Sequence, residues 1–133
     1  MSVRLLKDLE FDDWAAEYNV TNDMLCGAAK EIEAGLVDAR LGGFLIKKRV
    51  AAPGHGKQGS YRTIVGYRQS DRLIFVHGFA KNETDNITKK EKEALRKLCD
   101  VYMQIDPDKL SEMIKEKKIL EITCHEQDSK ERP

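Results

Sequence analysis

Lys47–Arg62 reads KKRVAAPGHGKQGSYR. Lys47, Lys48, Arg49, Lys57 and Arg62 bracket a glycine-rich turn, and Gly54, Gly56 and Gly59 spell G-x-G-x-x-G. The flanks of this stretch decide the fold. Upstream, in GFLIKKRVA (43–51), Phe44, Ile46 and Val50 alternate with Leu45, Lys47 and Arg49, the period of a strand. Downstream, SYRTIVGYR (60–68) is rich in Tyr, Thr, Ile and Val, which suit a pleated surface. The stretch therefore reads as strand, loop, strand, with the loop from about Ala51 to Ser60. A third strand, DRLIFVHGFA (71–80), follows the short polar turn RQSD, so the last two strands should form an antiparallel hairpin.

That order excludes the usual nucleotide loops. A dinucleotide fingerprint opens a helix whose N-terminus takes the pyrophosphate, whereas Gly59 leads into a strand. The kinase version lies between strands, but it needs a longer chain with catalytic-loop and metal-binding motifs. A Walker loop would need Gly where Ala51 stands, and Ser or Thr where Gln58 follows Lys57. What remains is a basic loop longer than an ordinary hairpin connection, a common place for function.

Outward from the strands the pattern turns helical. DLEFDDWAAEYNV predicts a first helix near residues 7–18, with Leu9, Trp14 and Tyr18 on one face. In TNDMLCGAAKEIEAG, Thr21 caps a helix, Leu25, Ala28, Ala29 and Ile32 recur at helical spacing, and Gly35 ends it. TKKEKEALRKLCDVY starts with a capping box, Thr88 and Glu91, and sets Ala94, Leu95, Leu98 and Tyr102 on its apolar face. DPDKLSEMIKEKK has Asp106 as cap and Pro107 in its first turn, and ILEIT suits a returning strand. The order αα-βββ-α-α-β predicts an α+β domain, with N-terminal helices and a C-terminal helix on a mostly antiparallel sheet. One domain over residues 1–123 and a polar, disordered tail over 124–133 are expected.

Composition narrows the function classes. Charged residues make up 35% and hydrophobic ones 41% of the 133, with no apolar run near the roughly 20 residues that span a bilayer. No apolar signal stretch opens the chain, so a cytoplasmic protein without membrane contact is expected. Cys26, Cys99 and Cys124 are odd in number and widely spaced, which predicts three reduced thiols and no metal site. Net charge is zero but unevenly spread: residues 1–40 hold nine acids and four bases, and residues 41–70 hold six bases and no acid. A local basic patch of this kind points to a polyanion.

Tyr61, Tyr67, His77 and Phe79 lie close to these cations in sequence. A sheet face carrying Lys and Arg beside rings suits RNA, since cations hold phosphates and rings stack on splayed bases. Leu73, Phe75, His77 and Phe79 share strand parity, which predicts one common face, with core packing for the two phenylalanines.

Several blocks together carry a family resemblance: AAKEIEAGLVDARLG (28–42), KKRVAAPGHGKQGSYRTIVGYR (47–68), RLIFVHGFAKNE (72–83) and ITKKEKEALRKL (87–98). Over roughly residues 9–123 the chain resembles RelE-type toxins of bacterial type II toxin–antitoxin systems, closest to a phage- and plasmid-associated branch. The resemblance implies N-terminal helices on an antiparallel sheet with a concave basic face. It implies a ribosome-dependent endoribonuclease acting on mRNA, without metal or other cofactor, and a cognate antitoxin as partner. Matched to the family motifs, Lys47, Arg49, Arg62 and Lys81 fall on catalytic positions, with Lys48, Lys57, Arg68, Tyr61 and His77 as RNA-binding candidates. Arg62 would stabilise the transition state, and Lys47 would move a proton.

Two departures bear on catalysis. Asn82 stands where some relatives carry an arginine, and residues 83–90 lack the tyrosine found shortly beyond. They keep open a catalytically degenerate RNA- or antitoxin-binding module. A ParE-like gyrase inhibitor on the same broad fold also stays open.

Overall fold

The structure, a computed structural model, describes residues 3–52, 56–80 and 87–124; at 52 and 56–60 it describes the backbone alone. The elements run β1 (Arg4–Asp8), α1 (Leu9–Glu17), α2 (Asn22–Glu33), β2 (Ala39–Gly42), β3 (Leu45–Ala52) and β4 (Gly56–Arg68). They continue with β5 (Arg72–Ala80), α3 (Lys89–Gln104), α4 (Pro107–Lys115) and β6 (Ile119–Glu121). The strands form one sheet in the order β2-β3-β4-β5-β1-β6. Every neighbouring pair is antiparallel except β1 with β5. This is the expected α+β architecture, with α1 and α2 on one face and α3 and α4 on the other.

Local chemistry sets the helix ends. Thr21 Oγ1 accepts from Met24 N at 3.2 Å and so caps α2; just beyond its C-cap, Gly35 takes a φ of +93°. Thr88 and Glu91 close the capping box of α3 reciprocally, at 2.8 and 3.0 Å. Asp106 caps α4 through Asp108 N and Lys109 N. The buried residues of α3 are Cys99 and Met103, flanked by half-buried Leu95, Leu98 and Tyr102, while Ala94 is exposed.

Four expectations about the secondary-structure elements change. The first helix of residues 7–18 is shorter, because Arg4–Asp8 is a strand between β5 and β6. Asp8 ends that strand and caps α1, accepting from Phe11 N at 2.9 Å. β2 also falls in a segment without strand signal. The predicted loop from Ala51 to Ser60 is largely ladder: β3 runs to Ala52, β4 starts at Gly56, and the two residues pair. Gly56 and Gly59 are therefore strand residues, and Gly54 lies outside the described residues.

The fourth change concerns β5. Its register with β4 shifts between Ile64 and Val65: Ile64 pairs with His77 but Val65 pairs with Phe75, leaving Val76 as the extra residue of a bulge. Leu73 and Phe75 pack with α1 and α2, while Val76 and Phe79 pack with the α3 side. The shared parity of Leu73, Phe75, His77 and Phe79 is thus broken at Val76, as one inserted residue turns the rest of a strand over.

Gly78 faces α1. A Cβ there would lie 2.4–2.6 Å from three atoms of the Trp14 ring. Trp14 cannot swing away freely, since Phe11, Tyr18 and Tyr61 hold it at centroid distances of 5.4, 5.3 and 5.7 Å. Gly78→Ala should therefore cost about 1–3 kcal/mol as an overpacked site. Urea unfolding checks it, with the fluorescence of the one Trp shifting in the folded state.

Two of the three cysteines do not remain thiols. Cys26 on α2 and Cys124 form a disulfide across 98 residues. Such a separation leaves no local spacing signal, which is why the sequence predicts reduced thiols. In the chain-entropy account a loop of that length adds up to about 4–5 kcal/mol. Reduction should lower the thermal midpoint, and thiol titration in denaturant should rise from one group to three. The remaining thiol, Cys99, is buried, and desolvation, with Asp8 and Asp100, pushes its pKa up to about 12. No described helix is long and apolar enough to cross a membrane.

Candidate nucleic-acid interface

The functional side chains come from the three central strands. On β3, Leu45, Lys47 and Arg49 alternate with Ile46, Lys48 and Val50. Leu45 packs on the α3 side, and Ile46 and Val50 pack under α1 and α2. Lys47 and Arg49 therefore share the α3 side, and Lys48 does not.

Register extends this set across the sheet. Arg49 pairs with Arg62 on β4, and Arg62 pairs with Phe79 on β5. One row below, Lys47 pairs with Ile64, and Ile64 with His77. Directly opposed residues stand roughly 4.5–5.5 Å apart at Cβ, and diagonal ones roughly 7–8 Å. Two rows thus lie on one face: Arg49–Arg62–Phe79 and Lys47–Ile64–His77. A third row, Leu45–Gly66–Ile74, runs under α3, where a Cβ on Gly66 would come 2.7 Å from Cys99 Sγ. Ile64 and Phe79 of the other two rows are buried in the same α3-side cluster as Cys99 and Met103, with the cations set around them. Lys47, Arg49, Arg62 and His77 are each half-buried.

Two acids border the face. Asp38 donates its N–H to Lys47 O at 2.9 Å, and its carboxylate accepts from Arg49 N. Glu91, at the start of α3, has a pKa lowered by the Thr88 backbone N–H and, to a smaller degree, by the charge of His77. His77 therefore sits within electrostatic reach of Glu91 while its ring lies 6.0 Å from that of Phe79. Sequence reading attached neither acid to the site. The capping box located Glu91 on its helix, but nothing in sequence ties it to His77.

Lys48 is 6% exposed on the opposite face, its ammonium 2.6 Å from Glu31 and 2.9 Å from Leu36 O. It anchors the end of α2 to the sheet, which corrects its placement among RNA contacts. Tyr61 is also on that face, edge-on to Trp14 and Tyr18 at 5.7 and 5.8 Å, so it packs α1 rather than the basic face. Arg68 shares the face of Arg62 but lies six residues along β4, roughly 20 Å away by strand rise. There its guanidinium pairs with Asp71 across the hairpin turn. Lys57 is on β4 with only its backbone described, and Lys81 lies outside the described residues. Among the described residues, no three His, Cys, Asp or Glu side chains gather into a metal-binding group.

A six-stranded sheet with helices on both faces, presenting cations beside rings, defines a small α+β protein with a cationic sheet face. Residues 3–122 match the family described as RelE toxin of RelE / RelB toxin-antitoxin system, and the chain belongs to that family. It is thus a toxin of a toxin–antitoxin system, and membership implies an antitoxin partner. No curated protein sequence matches the chain.

Proposed function

We propose that this toxin is a ribosome-dependent mRNA endonuclease of the cytoplasm. It cleaves by attack of a ribose 2′-OH on the adjacent phosphate, without a metal. The observation that carries this function is the strand register that sets Arg49 beside Arg62, with Lys47 one row away on the same face.

The reaction needs three things. A base removes the 2′-OH proton as the oxygen bonds to phosphorus. Fixed positive charge stabilises the five-coordinate phosphorus that forms. An acid protonates the 5′-oxygen as its bond to phosphorus breaks, leaving a 2′,3′-cyclic phosphate and a 5′-hydroxyl. Arg62 and Arg49 suit the second task, because guanidinium groups stay charged and grip phosphate oxygens in pairs. Lysine ammonium or imidazole suits the other two.

The ribosome's part follows from the charge distribution. The cations sit on one sheet face of a chain with net charge zero, so bulk attraction to free RNA is weak and a presented strand is needed. The test is 5′-end mapping of a defined mRNA on programmed bacterial ribosomes. Cuts that require both the protein and ribosomes are expected. Cuts on free mRNA would remove the ribosome from the proposal. No cuts from folded protein would sink the nuclease, leaving a binding module, or a gyrase inhibitor if supercoiling is blocked instead.

A further inference from the structure

We infer that His77 is the general base of this site, paired with Lys47 as general acid across Arg62; this rests on the nuclease function proposed above. The bulge at Val76 carries the inference. Without it His77 would share the face of Leu73 and Phe75, beneath α1 and α2. With it the imidazole comes to the cationic face, in register with Ile64 and diagonal to Arg62. Bulges that re-aim one side chain recur next to active sites.

The layout divides the work. Arg62 is on β4, the middle strand, with Lys47 on β3 to one side and His77 on β5 to the other. Lys47 and His77 are thus about two strand spacings apart, roughly 10 Å at Cα. In-line displacement puts attacking and leaving oxygens on opposite sides of phosphorus. A phosphate held by Arg62 therefore has one proton-transfer group on each flank. An imidazole can accept a proton and a lysine ammonium can give one. So the imidazole takes the 2′-OH proton while the new P–O2′ bond forms. The Lys47 ammonium gives a proton to O5′ as the P–O5′ bond breaks. Proton transfer back from imidazolium to the lysine amine, through solvent, restores both groups. The described charged groups that share the two rows of this sheet face with the imidazole are Lys47 and Arg49 from β3 and Arg62 from β4, and Glu91 at the start of α3 interacts with it electrostatically. Glu91, whose charge interacts with that of His77, can hold the imidazolium between steps.

A base on β5 also fits the departures from the family pattern. Residues 83–90 hold no tyrosine, and His77 is an imidazole on the same face as Lys47 and Arg62.

The test measures single-turnover cleavage of mRNA on programmed ribosomes between about pH 5.5 and 8.5, spanning imidazole titration. Wild-type protein, His77→Gln, His77→Ala and the exposed α4 variant Lys115→Ala are compared, each with its fold checked by circular dichroism. Wild type and Lys115→Ala should cut faster as pH rises through the imidazole range, then level off. His77→Gln should cut roughly a hundredfold more slowly and lose that rise, as expected for a missing general base. Added imidazole should restore part of the rate to His77→Ala and none to His77→Gln, whose side chain fills the space. A folded His77→Gln that cuts at the wild-type rate, or keeps the rise with pH, overturns the assignment while the nuclease function stands. Absence of cleavage by wild-type protein overturns both, and is told apart by the wild-type lane alone.

Discussion

Arg62→Ala should cut mRNA on programmed ribosomes about 100- to 1,000-fold more slowly than wild type, the usual loss for one donor aimed at developing charge. Three observations single out this arginine. It lies on the central strand of the cationic face, opposite Arg49 on one side and Phe79 on the other. It is diagonal to His77, so a phosphate it holds is also reachable from β5. Its neighbours Ile64 and Thr63 are fully buried, which fixes the backbone that carries it. Arg62→Lys should recover only part of the rate, because an ammonium keeps the charge but loses the paired contact. Arg49→Ala should cost less, since Arg49 lies nearer the sheet edge and one guanidinium remains. Equal loss in all three would mean that the face acts as a diffuse basic patch without a central contact. Undiminished cleavage by a folded Arg62→Ala would remove the sheet face from the chemistry altogether.

Much of this site is legible in sequence, for a physical reason. Strands with a strict period of two announce their faces, so Lys47 and Arg49 could be put together from GFLIKKRVA alone. The same period hides Lys48. It sits between two cations in the chain, yet alternation sends it to the other side, where Glu31 and Leu36 from α2 and its following turn receive it. A run of like charges invites one role for all members, and the pleat gives them two. The bulge at Val76 is illegible for the opposite reason. RLIFVHGF has no Gly or Pro at the inserted residue, and only the pairing with β4 shows that one residue is extra. β1 escapes notice because RLLKD is short and runs straight into its helix, with Asp8 ending one element and capping the next. Its partner strand, β5, lies far along the chain. The disulfide is invisible for the same cause, distance in sequence. The capping signals of α2, α3 and α4 were all readable, since a cap is settled within four residues.

Phe75→Ala should destabilise the fold by about 3–5 kcal/mol, the range for a large aromatic removed from a closed core. Phe75 is fully buried and stacks on Phe11 of α1 at 5.2 Å, so its loss opens space between helix and sheet. Its opposite on β4, Val65, is also fully buried and cannot fill the void alone. A domain of this size has about 5–15 kcal/mol to lose, so the variant would give up a large share of its stability. The urea midpoint should fall by roughly 1–3 M with an unchanged slope. Phe75→Leu, which keeps most of the volume, should lose far less. Phe75 sits on the face under α1, one residue before the bulge, whereas His77 sits on the cationic face one residue after it. In the cold, the Phe75→Ala molecules that remain folded should still cut mRNA, while Arg62→Ala should keep its stability and lose the cut. A loss below about 1 kcal/mol for Phe75→Ala would mean that this side chain does not fill the core under α1. The turn of the strand at Val76, and with it the place of His77 beside Arg62, would then fall together.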